Sequence, residues 1–224
     1  MNQADPTSTE GKPKKPRTAS KQVRRQQLVD ATIESIAKHG ISGTTMTTVT
    51  RLAGLSIGLA NFHFSTKQNL FEETLRYLAE EHLALWKKSY ETANLTPEDK
   101  LSAIVAAHFH RSICNRKKLA VWYAFFGEAG ARASYRELAK EIDTERRDVS
   151  AELIHQIIRD GGYDNIKATD VAFTLEGLYD GFWLNILMYP GEFSRFDGMR
   201  RIEEYLSQIF PKHFQRPPPP DCKG

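Results

Sequence analysis

TTMTTVTRLAGLSIGLANFHFSTK, residues Thr44 to Lys67, is the stretch on which the reading of this chain turns. Thr45 or Thr47 can cap a short helix, because a threonine oxygen accepts from a backbone N–H that the first helical turn leaves unpaired. On that helix Val49 and Leu52 or Ala53 would face inward. Gly54 stands where the chain must turn sharply, and glycine accepts a positive φ there at little cost. Leu55 would plug the angle between two helices, and Ser56 would cap the second. That second helix starts near Ile57 and sets Gly58, Asn61 and His63 among the apolar Leu59, Phe62 and Phe64. Two short helices joined by a tight glycine turn form the unit that lays its second helix in the major groove of DNA. On spacing alone, an αα-corner inside a helical bundle fits the same residues equally well.

If the groove-reading alternative holds, the side chains have distinct uses. Gly58 lets backbone approach a base or phosphate, and Asn61 offers a donor–acceptor pair to a base edge. Lys67 opens the following helix, where a point charge and a helix N-terminus together favour phosphate.

Outward from this stretch almost everything has helical spacing. Upstream, Leu28, Val29, Thr32, Ile33, Ile36 and Ala37 form one stripe, and Gly40 supplies a stop. Downstream, Lys67 to about Tyr90 carries Phe71, Leu75, Leu78, His82 and Leu85 on one face. Thr96-Pro97 is a cap followed by proline at the first helical position, and that helix is predicted to run to about Cys114. Further helices are predicted over Leu119 to Phe126 (ending at Gly127 or Gly130), Ser134 to Arg159, Thr169 to Met188, and a last amphipathic stretch through Met199, Ile202, Leu206 and Ile209. The fold class is therefore all-α with about nine helices. Residues 1–20 read as a disordered basic arm, 21–68 as a DNA-binding head, 69–213 as a ligand-binding and dimerisation body, and 214–224 as a proline-rich tail.

Charge is uneven along the chain. Residues 1 to 70 hold ten basic and four acidic residues, whereas the whole chain is only +3, so the remainder is mildly acidic. A basic end suits a polyanion partner. The first twenty residues lack an apolar run, and no stretch approaches the roughly 20 apolar residues of a membrane span, so neither a secretory signal nor a membrane partner is expected. Cys114 and Cys222, without a CxxC pair, fit a reducing cytoplasm and give a metal site little support. His108 and His110, two apart on a helix, would point away from each other and could not chelate together. No phosphate loop, nucleophile elbow or HExxH is present, so neither an enzyme nor a cofactor is expected.

From Arg24 to Leu75 the sequence resembles the DNA-binding domain of the TetR/AcrR family of bacterial repressors. The resemblance rests on Thr45, Ala53-Gly54-Leu55-Ser56, Gly58, His63-Phe64 and Lys67. It departs from the family at Thr50, where alanine is usual, and at Asn61, where a tyrosine commonly touches phosphate. The resemblance implies that Thr45, Thr47, Ser56, Ile57, Gly58, Leu59, Asn61, Phe62, His63 and Lys67 meet double-stranded, pseudo-palindromic operator DNA. Arg24 to Thr32, Trp122 to Phe126 and Glu176 to Leu184 are similar to the BetI-type subgroup, which represses choline-to-glycine-betaine genes. That similarity implies a repressor released by a small-molecule effector, choline or another quaternary ammonium. A same-fold regulator or activator answering to another effector, or a helical ligand carrier without specific DNA binding, are the alternatives.

The helix from Thr169 to Met188 is apolar nearly all round and must be covered all round. A central position in a monomeric bundle would do this. The family resemblance favours a homodimer interface built with the last helix. Trp122, Phe126 and Trp183, with Asp180 nearby, are candidates for an effector cavity, since aromatic faces beside a carboxylate suit a quaternary ammonium. Core packing is the plainer use of the same aromatics. The charged helix with Arg136, Lys140, Arg146 and Arg147 reads as a solvated face.

Overall fold

A computed structural model describes residues 20–91, 94–130 and 132–215, apart from the side chains of 89, 139, 141 and 142. Nearly all of the predicted N-terminal arm and most of the proline-rich tail lie outside the described residues. Among those residues there are nine helices: α1 (Lys21–Gly43), α2 (Met46–Ala53), α3 (Ile57–His63), α4 (Lys67–Tyr90), α5 (Pro97–His108), α6 (Arg116–Ala129), α7 (Ala133–Gly161), α8 (Ala168–Met188) and α9 (Arg195–Ile209). None is long and apolar enough to cross a membrane.

Local chemistry starts most of them. Ser20, Thr45, Ser56, Thr66, Thr96, Asn115 and Ser194 each accept a hydrogen bond from the N3 amide of the helix they precede. Each such cap contributes about 1 kcal/mol relative to alanine. At Thr45 the bond is reciprocal, because the Thr48 hydroxyl in turn accepts from the Thr45 amide at 2.8 Å.

The head is α1 to α3. Leu28, Val29, Ile33 and Ile36 of α1 are buried together with Val49, Ala60 and Phe64. α4 runs from this head into the body, burying Phe71, Leu75, Leu78 and Trp86 along its length. α5 and α7 pack on α4, α6 packs on α1 and α7, and α8 lies along α7 and α9. Each large side chain buried in this way stabilises by about 1.5–3 kcal/mol. Two ion pairs tie α6 to its neighbours: Lys117 with Glu34 of α1, and Lys118 with Glu81 of α4.

Several expectations are corrected. Gly40 does break the helical backbone as expected (φ 67°, ψ 178°), but a short helical turn resumes beyond this kink and carries α1 to Gly43. α5 ends at His108, six residues before Cys114, and Phe109 to Asn115 turn over instead. No glycine or proline marks that end, so the sequence carried no signal of it. His108 and His110 therefore do not share a helix: His108 is buried and His110 is exposed on the turn. Leu52 is not inward-facing but 42% exposed, while Val49 is buried. Phe214, assigned to the tail, packs instead on Phe210 with ring centroids 6.3 Å apart. Finally, Arg146 is not part of a solvated face; it is 4% exposed and faces α8.

Candidate nucleic-acid interface and buried pocket

The turn between α2 and α3 has the predicted construction. Gly54 adopts the left-handed conformation (φ 64°, ψ 32°), and Ser56 accepts from the Leu59 amide at 3.2 Å. Leu55 is half-buried between the helices. Thr50, the departure from alanine, is buried, and its extra hydroxyl is satisfied by the Thr47 carbonyl at 3.2 Å.

α3 divides into two faces. Ala60 is buried and Leu59 half-buried, whereas Ile57, Gly58, Asn61 and Phe62 are exposed. Those four stand at i, i+1, i+4 and i+5, which is one side of a helix. Phe62 is 71% exposed, with Lys21 Nζ 5.7 Å from its ring centre. Thr45, Thr47 and Ser56 are exposed at the ends of α2 and α3. A short helix offering apolar and amide side chains outward, flanked by Lys21 and Arg51, can enter a groove and touch phosphates at its edges.

Two candidates differ from the simple expectation. His63 is half-buried with its Nδ1 enclosed, and burial with Lys21 and Arg25 nearby lowers its pKa, so it offers the interface no positive charge at neutral pH. Lys67 reaches back to donate to the Thr44 carbonyl at 3.0 Å, leaving two of its three protons for a phosphate. It is thus also a tie between α4 and the head. Arg25, which sequence reasoning passed over, is a second tie. It donates to the His63 carbonyl (3.3 Å) and to Glu73 (2.6 Å) while stacking over Phe64 at 4.5 Å. Together these bonds fix α3 against α1 and α4.

In the body, the four residues proposed as a cavity lining do come together. Trp122 and Phe126 on α6, and Asp180 and Trp183 on α8, line one pocket. His82 of α4, His108 of α5, and Asp143 and Arg146 of α7 complete it. Trp122 lies 5.7 Å from Phe126 and 6.4 Å from Trp183, centroid to centroid. Trp183 is fixed by its indole N–H, which donates to the His108 carbonyl at 3.1 Å. About 350 Å³ of space between atoms lies in and at the mouth of the pocket. Only about 20 Å³ of it admits the centre of a water, roughly one water's worth, so a larger guest must part the walls.

Charge in this region is unbalanced. Arg146 donates from Nε to Glu176 at 3.1 Å, and from Nη2 to Glu176 and to Asp143, the latter at 2.9 Å. Burial opposes the Arg146 charge, but Glu176 and Asp143 outweigh it and its pKa is raised. Arg146 thus pairs with Asp143 and Glu176, Asp180 lies within its electrostatic reach, and Arg147 also acts on Glu176. Asp180 is pushed up to about 6, first by burial and then by Asp143 and Glu176. Because one side of the residue is open to solvent, water screens part of this repulsion. Burial likewise raises the pKa of Glu176. Among the residues that line the pocket, two carboxylates, Asp143 and Asp180, stand against the one guanidinium of Arg146.

Among the described residues no group of three or more His, Cys, Asp or Glu side chains could hold a metal ion. Sequence reasoning missed His82, His108, Asp143 and Arg146 as lining residues. They come from three helices far apart in the chain, and no local pattern links them.

Comparison with known proteins places this arrangement. Residues 28–74 match the family of bacterial regulatory proteins of the tetR type, and residues 97–211 match the BetI-type transcriptional repressor C-terminal domain. The chain is 30% identical over 196 residues to the HTH-type transcriptional regulator BetI of Paraburkholderia phymatum, covering 87% of this chain and 96% of that protein. It is 28% identical to the same-named regulator of Burkholderia thailandensis, covering 87% and 97%. Among solved structures, a transcriptional regulator from Pseudomonas aeruginosa PAO1 superposes with a TM-score of 0.77 at 24% identity, covering 88% of this chain and 96% of that one. A regulator from Saccharomonospora viridis, solved in complex with choline, superposes with a TM-score of 0.74 at 17% identity, covering 83% and 96%. With its reading head matched at one end and about half of its length matched at the other, this chain belongs to the TetR family: a DNA-binding transcriptional regulator, not an enzyme, with a BetI-type C-terminal domain.

Proposed function

We propose that the protein is a homodimeric repressor that leaves its operator when a quaternary ammonium such as choline enters the pocket, and that it controls genes of glycine betaine synthesis. The observation that carries this reading is the meeting of Trp122, Phe126 and Trp183 with two carboxylates, Asp143 and Asp180, and one guanidinium, Arg146, in the lining of one pocket. A cation there gains about 0.5–2 kcal/mol from each favourable aromatic face and offsets the unbalanced carboxylates. The choline-bound relative of like fold lends support.

The exposed face of α8 supports the dimer. Phe173 (68% exposed), Leu184 and Met188 lie along it, and Phe196 of α9 adds to the apolar surface. Gly177 and Gly181 are open, with no atom within 4 Å of a Cβ added there, so a partner helix could approach closely. A two-fold pairing of this face brings two heads to one duplex, on half-sites roughly 34–36 Å apart or a multiple of that. The DNA contacts fall to the exposed face of α3, to Thr45, Thr47 and Ser56, and to Lys67, with Leu59 and His63 supporting that face from behind.

Release follows from where the pocket lies. His82 is on α4, the helix whose first residue holds the head through Thr44. Trp122 and Phe126 are on α6, which is joined to α1 by Lys117 and Glu34. A guest too large for the resting cavity shifts these helices, and both shifts reach the head. The effector then selects the arrangement with the wider pocket, whose heads do not match the operator spacing. The test is fluorescence anisotropy of a labelled operator duplex with the full chain. Choline should lower DNA affinity in a saturable way, and Asp180→Asn should blunt that response. Choline without effect on a duplex that is bound specifically refutes this effector.

A further inference from the structure

We infer that His82 and His108 form a hydroxyl-reading pair at the inner end of the pocket, so that the effector is a hydroxyalkyl ammonium and not a bare alkyl cation or a carboxylated one. This rests on the cation-pocket reading above and adds a second chemical requirement to it.

The two imidazoles meet edge to face with centroids 4.4 Å apart, and they are 3% and 2% exposed. His108 is held from its other side by Tyr179, stacked at 3.8 Å. His82 Nε2 and His108 Nδ1 are buried, and neither has a hydrogen-bond partner among the described residues. Two nearby polar groups are committed elsewhere, the Trp183 N–H to the His108 carbonyl and Arg146 to Glu176 and Asp143, whereas the buried Tyr179 hydroxyl has no partner among the described residues. Burial and the neighbouring Arg146 push both imidazoles well below the ordinary histidine pKa, so both are neutral.

A neutral imidazole carries one N–H and one lone pair, and which nitrogen bears the proton is free to suit the partner. Two such rings can present a donor and an acceptor to the same guest. A hydroxyl answers both at once, since it donates and accepts. A methyl group answers neither and leaves both nitrogens desolvated without compensation. A carboxylate can only accept, and it would also stand among Asp143 and Asp180. The aromatic and acidic walls thus select the cationic head, and the histidine pair selects what is attached to it. A site built to bond a hydroxyl rejects analogues without one, because its own polar atoms are then stranded.

Isothermal titration of the intact chain tests this with three probes: choline, propyltrimethylammonium (the hydroxyl exchanged for a methyl) and glycine betaine. The wild type should bind choline about tenfold more tightly than the propyl compound, and betaine more weakly than choline. In His82→Phe and in His108→Phe the choline-to-propyl ratio should fall to within about twofold. Asp180→Asn should weaken both cations alike and keep the ratio, which separates the charge requirement from the hydroxyl requirement. Equal binding of the two cations by the wild type overturns the inference without needing any variant to fold. So does a ratio that survives in both histidine variants. If neither cation binds the wild type, the cation-pocket reading and this inference fall together, whereas equal binding overturns only the inference.

Discussion

Replacing Glu176 by glutamine leaves Arg146 charged, 96% enclosed, and with Asp143 as its remaining carboxylate. Breaking a buried ion pair from one side costs about 3–5 kcal/mol, because the surviving charge stays desolvated. Asp143 is half exposed (49% for its side chain) and still bonds Nη2, and the glutamine keeps one acceptor oxygen. The lower end therefore applies, about 3 kcal/mol. For a chain of this size that corresponds to a fall in Tm of roughly 6–12 °C. The opposite truncation, Arg146→Met, behaves differently. It removes the guanidinium that pairs with Asp143 and Glu176 and leaves Arg147 as the remaining positive charge acting on Glu176, while Glu176 and Asp180 already have raised pKa values. A carboxylate whose folded pKa lies above its unfolded value binds more protons in the native state, so stability falls as pH rises between the two values. Arg146→Met should accordingly be destabilised more at pH 8 than at pH 5, with the loss developing from about 4 to above 6. The double variant Glu176→Gln, Arg146→Met should recover part of the loss, since neither buried charge then remains unpaired. Urea denaturation followed by circular dichroism, at one protein concentration and two pH values, provides the cycle. A Glu176→Gln variant within about 0.5 kcal/mol of wild type, with Arg146→Met insensitive to pH, would show that this cluster is wetter than argued and would remove the electrostatic case for a cationic guest.

Other outcomes follow from single residues. Gly54→Ala meets no atom within 4 Å and suffers only the left-handed backbone, so it should cost about 1–2 kcal/mol in denaturation; a loss beyond 3 would point to crowding instead. Phe62→Ala should leave stability within about 0.5 kcal/mol, because the ring is mostly exposed, yet lower DNA affinity in anisotropy; unchanged affinity would take the outer face of α3 off the duplex. Affinity for a cationic effector should weaken as pH falls through about 6, where Asp180 takes up its proton, and titration calorimetry across pH 5 to 8 would read it. A flat profile would remove Asp180 from the site.

The parts of this protein that were legible in its sequence are those built by neighbours in the chain. Thr45, Gly54 and Ser56 act within three residues of themselves, so the two-helix head could be read residue by residue. The stripe of α4 and the proline-marked start of α5 were equally local. What escaped was set by partners far along the chain. Arg146 looked like one more charge on a polar helix, and only Glu176, thirty residues on, makes its burial tolerable. His82 and His108 are twenty-six residues apart, and their meeting depends on how α4 and α5 pack. The end of α5 at His108 lacks the glycine or proline that would have announced it. Trp122, Phe126, Asp180 and Trp183 were singled out by chemistry, but their convergence on one cavity is a property of the packed body.

The function proposed for this protein requires that the exposed face of α3 read duplex DNA in pairs. Its most direct test is selection of duplexes from a random pool by the full chain, followed by a salt titration of the winner against a scrambled control. An inverted repeat should be enriched, with selected duplex bound at least ~10³-fold tighter than scrambled and with affinity falling steeply as salt rises. A pool that converges on nothing, or binding that is equal for both duplexes at every salt concentration, would contradict it.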